Sequence, residues 1–361
     1  MEYETIISEQ LKTMDIDELE ELIDKTTEYY GITDNLSIEG IINDLINGSP
    51  LFDSDKFMNN LMELFLLEIK SAISIGCEII IICIFMGLLN NLSNSFGGNT
   101  VSKLGTMICG VIVIALCIGN FYQTYQYCSE TVEVITNTMT ILLPIMIPLL
   151  ITMGAFSSGA LMSPVMLGAV TGFNFIMKNI VLPMIFISVV LVMINSITEK
   201  NYVKKLAVLI RRVGLFITGL SITIFSGITT IQGIVTKSAD GVLINTARFS
   251  INNFVPIIGG FASDSLETVI SCIGLIKNTV GLIGIIIIIT LLILPIVKML
   301  AIAMIYKVTA VISEPIIDNK ISDSLNELGT AAVTMTVVLG AGALMFLIFI
   351  TILMNMGGGS L

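Results

Sequence analysis

The 361-residue sequence contains no histidine and no tryptophan. The missing histidine excludes His-based general acid–base catalysis, His metal ligation and the side chain that most often senses physiological pH. Without tryptophan, an aromatic belt at a membrane surface must use tyrosine and phenylalanine. The phosphate-binding pattern G-x-x-x-x-G-K-[ST] is also missing, so we expect no ATP hydrolysis by this chain. We therefore predict a non-enzymatic protein without a catalytic site, a metal or a cofactor.

Charged residues are few, at 12% of the chain against roughly 25% in a soluble domain. Hydrophobic residues make up 55%, and the mean hydropathy is +0.95. One soluble core cannot bury so much apolar sequence, which predicts an all-α, polytopic helical membrane protein. Residues 1–70 contain 17 acidic and 4 basic residues, net −13, whereas residues 71–361 contain 11 and 13, net +2. We predict an acidic extracytoplasmic helical region, 1–70, and a polytopic transmembrane domain, 71–361.

The acidic region has the pattern of three short amphipathic helices. One is capped by Ser37 and places its apolar residues on one face, at Ile38, Ile41, Ile42, Leu45 and Ile46. Another covers 15–30, and a third starts near Asp53 and runs into the first membrane span. Three such pieces form a marginal core. They either dock on a partner or on the membrane domain, or form a solvated acidic cap. No signal peptide precedes them, so either the first span inserts the N-terminus outward or a signal peptide was removed.

Apolar runs alternate with polar stretches along the rest of the chain and predict about eight to nine membrane segments, some of them broken by proline and glycine or re-entrant. A single helix over 164–197 would be about 51 Å long, too long for a bilayer. We therefore divide it at Lys178 and Asn179 into two spans. The run at 299–313 is short, which also permits an interfacial or tilted placement. The runs are 71–92, 104–122, 134–153, 159–177, 180–197, 213–235, 270–297, 299–313 and 328–354.

Basic residues are concentrated in the 198–212 loop, which the positive-inside rule therefore places in the cytoplasm. With nine spans, the N-terminus, the loop containing Glu130 and Glu133, and the 314–327 loop are external, and the C-terminus is cytoplasmic. Lys298 and Lys307 flank short apolar runs, and we expect them to extend towards the cytoplasmic side. The basic residues of the loop are Lys200, Lys204, Lys205, Arg211 and Arg212.

Small residues and prolines mark special places in the apolar sequence. Gly168-x-x-x-Gly172 is a helix-packing motif, and we favour packing within one chain over a dimer contact. Two segments, 144–164 and 256–265, are broken by proline and small residues. Such segments occur on transporter substrate pathways and in re-entrant or hinge structures.

Ionisable residues at membrane depth are candidate functional residues because burying their charge is costly. Glu78, Lys178 and Lys277 belong to this class, although Glu78 could simply face water. The stretch 232–265 is too polar to span lipid and too apolar for a free loop, so we predict a partly buried or interfacial external element. In it, Asp240 could pair with Lys237 or Arg248. Its candidate residues are Lys237, Asp240, Gly241, Arg248, Pro256, Gly259, Gly260, Ser263 and Asp264.

The same stretch contains a long and specific motif. It comprises Gln232-Gly233, Ala239-Asp240-Gly241-Val242, Thr246-Ala247-Arg248-Phe249, Asn253-Phe254-Val255-Pro256, Gly259-Gly260 and Ser263-Asp264. The motif resembles the stage III sporulation protein AE family of endospore-forming bacteria. Flanking matches extend the resemblance from the acidic helices to about residue 354, at Leu143-Pro144, Lys178-Asn179, Leu182-Pro183, 196–199 and Leu325-Asn326-Glu327. The chain departs from the family in lacking the signal peptide that its members normally carry.

The resemblance implies a place and a role. Members of this family are multi-pass proteins of the mother-cell membrane around the forespore during engulfment. They belong to a channel or export complex with sister stage III sporulation membrane proteins and an ATPase sister. That complex meets the forespore stage II Q protein across the intermembrane space, which the acidic helices of this chain would face. Copies of the chain are expected to form a homo-oligomer in membrane lipid, and no nucleic acid partner is implied.

Two functions remain open from the sequence. The first is a conduit or assembly platform of the secretion-like complex, and the alternative is a stand-alone small-solute permease. Assembly state separates them, because a component should co-purify with sister proteins, whereas a permease should bind solute alone.

Overall fold

The computed structural model describes residues 54–95, 100–153, 155–198, 202–254, 259–317 and 319–356. Helices α1 (Ser54–Ser95), α2 (Thr100–Thr152) and α3 (Phe156–Ile176) come first. A five-residue π turn, Met177–Val181, joins α3 to α4 (Leu182–Ile197). Then follow α5 (Lys204–Phe254), α6 (Gly259–Ser313) and α7 (Asn319–Asn355). The predicted all-α class is confirmed, and α1 runs from Ser54 into the first membrane span without a break. The helices predicted before residue 54 lie outside the described residues.

Six stretches of the described chain are long and apolar enough to cross a membrane, fewer than the eight to nine predicted. The difference arises because neighbouring apolar runs join into single helices. Runs 104–122 and 134–153 both belong to α2, and runs 270–297 and 299–313 both belong to α6. The six stretches are Met62–Leu89, Met107–Thr152, Pro164–Ile197, Lys204–Thr236, Ile273–Ser313 and Asn319–Asn355.

The predicted external loop at Glu130 and Glu133 is wrong, because both residues lie inside α2. Threonines supply much of the polarity of this part of α2, and their hydroxyls donate to the carbonyls four residues earlier in the same helix. Thr131 donates to Tyr127 at 2.9 Å and Thr136 to Val132 at 2.9 Å. A polar side chain that is hydrogen-bonded within its own helix does not require a loop.

The predicted division at Lys178 and Asn179 is also wrong, because α3, the π turn and α4 form one continuous helical rod. In the π turn, the N–H of Leu182 donates to the carbonyl of Met177, five residues earlier. Pro183 follows and has no N–H for the carbonyl of Asn179. The wider turn fits this proline into the helix without a break.

Helix α7 lies at the centre of the bundle and packs against α2, α4, α5 and α6. Its approach to α6 is closest at Gly329, where an added Cβ would lie 2.9 Å from the carbonyl oxygen of Ala303. Only a residue without a side chain allows two helix backbones to come so near. Helix α1 packs on α2 and α6, while α3 packs on α2 and α5. Towards its C-terminal end, α7 buries Phe346, Phe349, Ile350 and Leu353 completely.

The connections after α4 and after α6 meet at one end of the bundle, which we call the basic end. The Lys320 ammonium donates to the carbonyl of Thr198 at 2.6 Å, and Lys204 pairs with Asp323 at 2.8 Å. The expectation that the 198–212 and 314–327 loops lie on opposite sides of the membrane is therefore wrong. The sequence prediction had counted runs 270–297 and 299–313 as two membrane crossings, which placed the two loops on opposite sides. Because both runs belong to the single helix α6, one crossing fewer separates the two loops.

Three helices are much longer than a bilayer is thick. Helices α2, α5 and α6 contain 53, 51 and 55 residues, or about 80, 77 and 83 Å at 1.5 Å per residue. The hydrocarbon core is only about 30 Å thick. Parts of these helices must therefore extend outside the hydrocarbon or be covered by protein. The broken segment predicted at 144–164 is present as the break between α2 and α3, although Pro144 and Pro148 lie inside α2.

Candidate functional site

A polar cavity of about 380 Å³ lies between α1, α2 and α6. This volume is within the usual range for small-molecule pockets, roughly 300–1,000 Å³. Its lining residues belong to three of the candidate membrane spans, so the cavity is a polar site in an otherwise apolar part of the chain. The polar lining comprises Glu68 and Ser71 of α1, Asn120, Gln123, Thr124, Gln126, Tyr127 and Glu130 of α2, and Lys298 of α6.

The cavity contains two carboxylates and one ammonium group. The Lys298 Nζ lies 4.4 Å from the centroid of the Tyr127 ring, a cation–π contact. Among the described residues, neither Glu68 nor Glu130 forms an ion pair, and Lys298 is paired with neither carboxylate. The lining therefore carries a net charge of −1 with both carboxylates open to a ligand.

The amide groups of the cavity retain hydrogen-bonding capacity. The Asn120 Nδ2 atom is buried and makes no hydrogen bond to any described residue. Its backbone carbonyl already accepts the Thr124 hydroxyl at 3.1 Å. A buried donor without a partner is uncommon in proteins.

A second polar site lies at the π turn. The Lys178 Nζ and the Glu133 carboxylate of α2 form an ion pair at 2.6 Å, with side chains 39% and 48% exposed. Lys178 is not in the turn between spans that the sequence predicted; it lies in the middle of the helical rod. Single π turns inside α-helices are frequently found at functional sites. Here the π turn contains Lys178, one partner of an ion pair between helices.

The basic end contains a more deeply buried ion pair. Arg211 of α5 and Glu327 of α7 are 2.5 Å apart, with side chains 8% and 22% exposed. The other guanidinium nitrogen donates to the backbone carbonyl of Glu327 at 3.4 Å. Together with Lys204–Asp323, this pair joins the start of α5 to the start of α7.

The remaining predicted ionisable residues occupy separate places. The Lys277 side chain is only 2% exposed, and its ammonium donates to the carbonyl of Met356. Glu78 is exposed on α1 and does not line the cavity. Lys298 lines the cavity, and the expectation that it extends towards the cytoplasmic side stays a prediction. The structure places Lys178, Lys277 and Glu78 in three separate surroundings, so they do not form one site.

The predicted external element at 232–265 is helical where it is described. Residues up to Phe254 belong to α5, and α6 begins at Gly259. Residues 255–258, with Pro256, lie outside the described chain, and so do the side chains of Lys237, Asp240, Arg248, Ser263 and Asp264. The pairing of Asp240 with Lys237 or Arg248 therefore stays a prediction, as do the roles of Gly241, Gly259 and Gly260.

Gly168 and Gly172 of α3 lie on a surface that no other helix of the described residues covers. An added Cβ at either position would meet no atom within 4 Å, and Phe175, one turn further on, is 61% exposed. We call Gly168, Gly172 and Phe175 the open glycine face. Within the part of the chain that the structure describes, the motif does not pack against another helix, contrary to the favoured prediction.

Comparison with known proteins agrees with the resemblance found in the motif. The model of the family "Stage III sporulation protein AE" matches residues 36–357. The chain belongs to this family. It is also 30% identical over 334 residues to "Stage III sporulation protein AE" of Bacillus subtilis (strain 168), covering 92% of this chain and 84% of that protein. No solved structure matches the chain.

Every cavity residue lies within the part of the chain that matches the stage III sporulation protein AE family. The sequence pattern did not identify Glu68, Asn120 or Tyr127 as candidate site residues, and it placed Glu130 in a predicted loop. A usable signal was the run of amides and hydroxyls from Asn120 to Tyr127 between two apolar runs. The run indicates a polar face of a helix only if α2 continues through it. From the sequence alone, the same run also fits a loop between two spans.

Proposed function

We propose that the protein is an integral-membrane component of a sporulation-specific, secretion-like channel or export complex that links mother cell and forespore. It acts as a conduit or assembly platform, without catalysis by this chain. Its place is the mother-cell membrane around the forespore, with residues 1–70 in the intermembrane space. Its partners are sister stage III sporulation membrane proteins, an ATPase sister and, indirectly, the forespore stage II Q protein. Family membership and the six candidate spans support this proposal.

The open glycine face is the observation that carries the platform role. Glycines spaced four apart allow membrane helices to approach closely and pack through van der Waals contacts. At Gly168 and Gly172 no helix among the described residues makes that approach. The face is therefore available to a helix of another subunit, which is what an assembly platform requires.

The length of the helices supports the same role. The exposed apolar residues of α5 extend from Leu206 to Val242, a rise of about 54 Å at 1.5 Å per residue. The hydrocarbon core covers only about 30 Å of that length. Large apolar patches in water mark interaction sites, so the uncovered part of this helix suits contact with other subunits.

The experiment replaces Gly168 and Gly172 together by leucine in sporulating cells. Leucine side chains would prevent close helix approach, and their Cβ atoms would meet no described atom within 4 Å. We expect wild-type levels in the membrane, with loss of sister-protein co-purification and a fall in spore counts. Gly119→Leu is the matched control, since this exposed glycine of α2 also has no neighbour within 4 Å.

A wild-type yield of sister proteins from the Gly168→Leu/Gly172→Leu variant would contradict the platform role. The alternative, a stand-alone small-solute permease, is favoured by the cavity between α1, α2 and α6. A permease would transport solute in proteoliposomes that contain this chain alone.

A further inference from the structure

We propose that the cavity between α1, α2 and α6 binds a small organic cation through a primary ammonium group. This site goes beyond the assembly role, because no part of the cavity belongs to the open glycine face. The ammonium group lies between the carboxylates of Glu68 and Glu130. The ligand's remaining polar atoms meet the amide groups further along α2.

The charge of the cavity selects a single positive charge. Two carboxylates and the Lys298 ammonium give the lining a net charge of −1, which one monocation neutralises. This net negative charge attracts a monocation, and the complex of the lining with a monocation is neutral. The two carboxylates come from two different helices, Glu68 from α1 and Glu130 from α2.

The position of Lys298 leaves those carboxylates free. Its Nζ is held over the Tyr127 ring at 4.4 Å and is in no ion pair with a described residue. Lys298 is therefore an internal cation near the site that competes electrostatically with the ligand. Removing its charge should strengthen ligand binding, which is the opposite of what simple damage to the cavity would do.

The size and lining of the cavity favour an organic ion over a bare metal ion. A Ca²⁺ ion needs six to eight oxygen ligands at about 2.3–2.6 Å. The described residues include no cluster of three or more carboxylate, thiol or imidazole groups suited to a metal. The polar wall of α2 runs from Asn120 to Glu130, about 15 Å at 1.5 Å per residue. A primary ammonium group has three N–H donors for the carboxylate and hydroxyl acceptors of this wall.

The test uses the full chain in nanodiscs made only of phosphatidylcholine, a lipid without a primary ammonium group. Ethanolammonium is the probe, and its binding is measured by isothermal titration calorimetry. We expect saturable binding that Glu68→Gln and Glu130→Gln each weaken about tenfold or more, because each removes a charge-assisted hydrogen bond. Glu63→Gln is the matched control, because this exposed glutamate of α1 does not line the cavity.

Two further arms separate this proposal from its alternatives. Lys298→Met should tighten ethanolammonium binding severalfold, and choline, which has no N–H donor, should bind more weakly than ethanolammonium. In nanodiscs with added phosphatidylethanolamine, loss of probe binding assigns the ammonium to the lipid headgroup, and unchanged binding assigns it to a free solute. The proposal is overturned if the probe does not bind, if K⁺ displaces it at equal concentration, or if Lys298→Met weakens binding as the glutamate variants do.

Discussion

Replacing Gly329 by alanine is expected to loosen the contact between the two central helices. The added Cβ would lie 2.7 Å from the Cγ of Lys307 and 2.9 Å from the carbonyl oxygen of Ala303. The lysine side chain can move, but the carbonyl is fixed in α6, so α6 and α7 must separate. Overpacking of this kind costs about 1–3 kcal/mol, whereas alanine gains about 0.5–1 kcal/mol over glycine in a helix. The net expected loss in the free energy of unfolding is about 0–2.5 kcal/mol.

The matched control is Gly340→Ala in the same helix, where an added Cβ meets no atom within 4 Å. This substitution keeps the helix-propensity gain without the clash, so we expect unchanged or slightly higher stability. Thermal unfolding of both detergent-solubilised variants, followed by near-ultraviolet circular dichroism, measures the difference. Equal unfolding midpoints for Gly329→Ala and Gly340→Ala would refute the close approach of α6 and α7 described above.

Two further predictions concern the ion pairs. Lys178→Glu and Glu133→Lys are each expected to lower the free energy of unfolding, while the double swap recovers most of the loss. A double-mutant cycle should give a coupling energy of about 0.2–1 kcal/mol for this half-exposed pair. A coupling energy of zero would show that the pair is not formed. Glu327→Gln is expected to destabilise the protein more than Asp323→Asn, because it leaves the guanidinium of Arg211 buried without its charged partner. The unfolding midpoints of the two variants provide the comparison. A lower midpoint for Asp323→Asn would contradict this prediction.

The sequence predicted the helical class because long apolar runs have few structural alternatives in a membrane. It overcounted the spans because a polar stretch between two apolar runs has the same pattern whether it is a loop or a helix. The Glu130 region shows the difficulty, since its threonines form hydrogen bonds within α2 that leave no mark on the sequence. The same applies to Lys178, whose ion-pair partner lies 45 residues earlier.

The candidate site was harder to predict than the fold. Single-residue arguments selected Lys178 and Lys277, and the structure places them in different surroundings. The cavity is formed by three helices that are separated in sequence. Each helix contributes one of its charged residues, Glu68 from α1, Glu130 from α2 and Lys298 from α6. Such a grouping follows from helix packing, which periodicity and composition do not specify.

The length of α2 has a mechanical consequence. At about 80 Å, this helix contributes to the polar cavity near its middle and meets the break before α3 at its end. A rod of that length that tilts by about 5° moves one end by roughly 7 Å relative to the other, with no change in its internal hydrogen bonds. A displacement applied at one end of α2 would therefore also move the cavity lining near its middle.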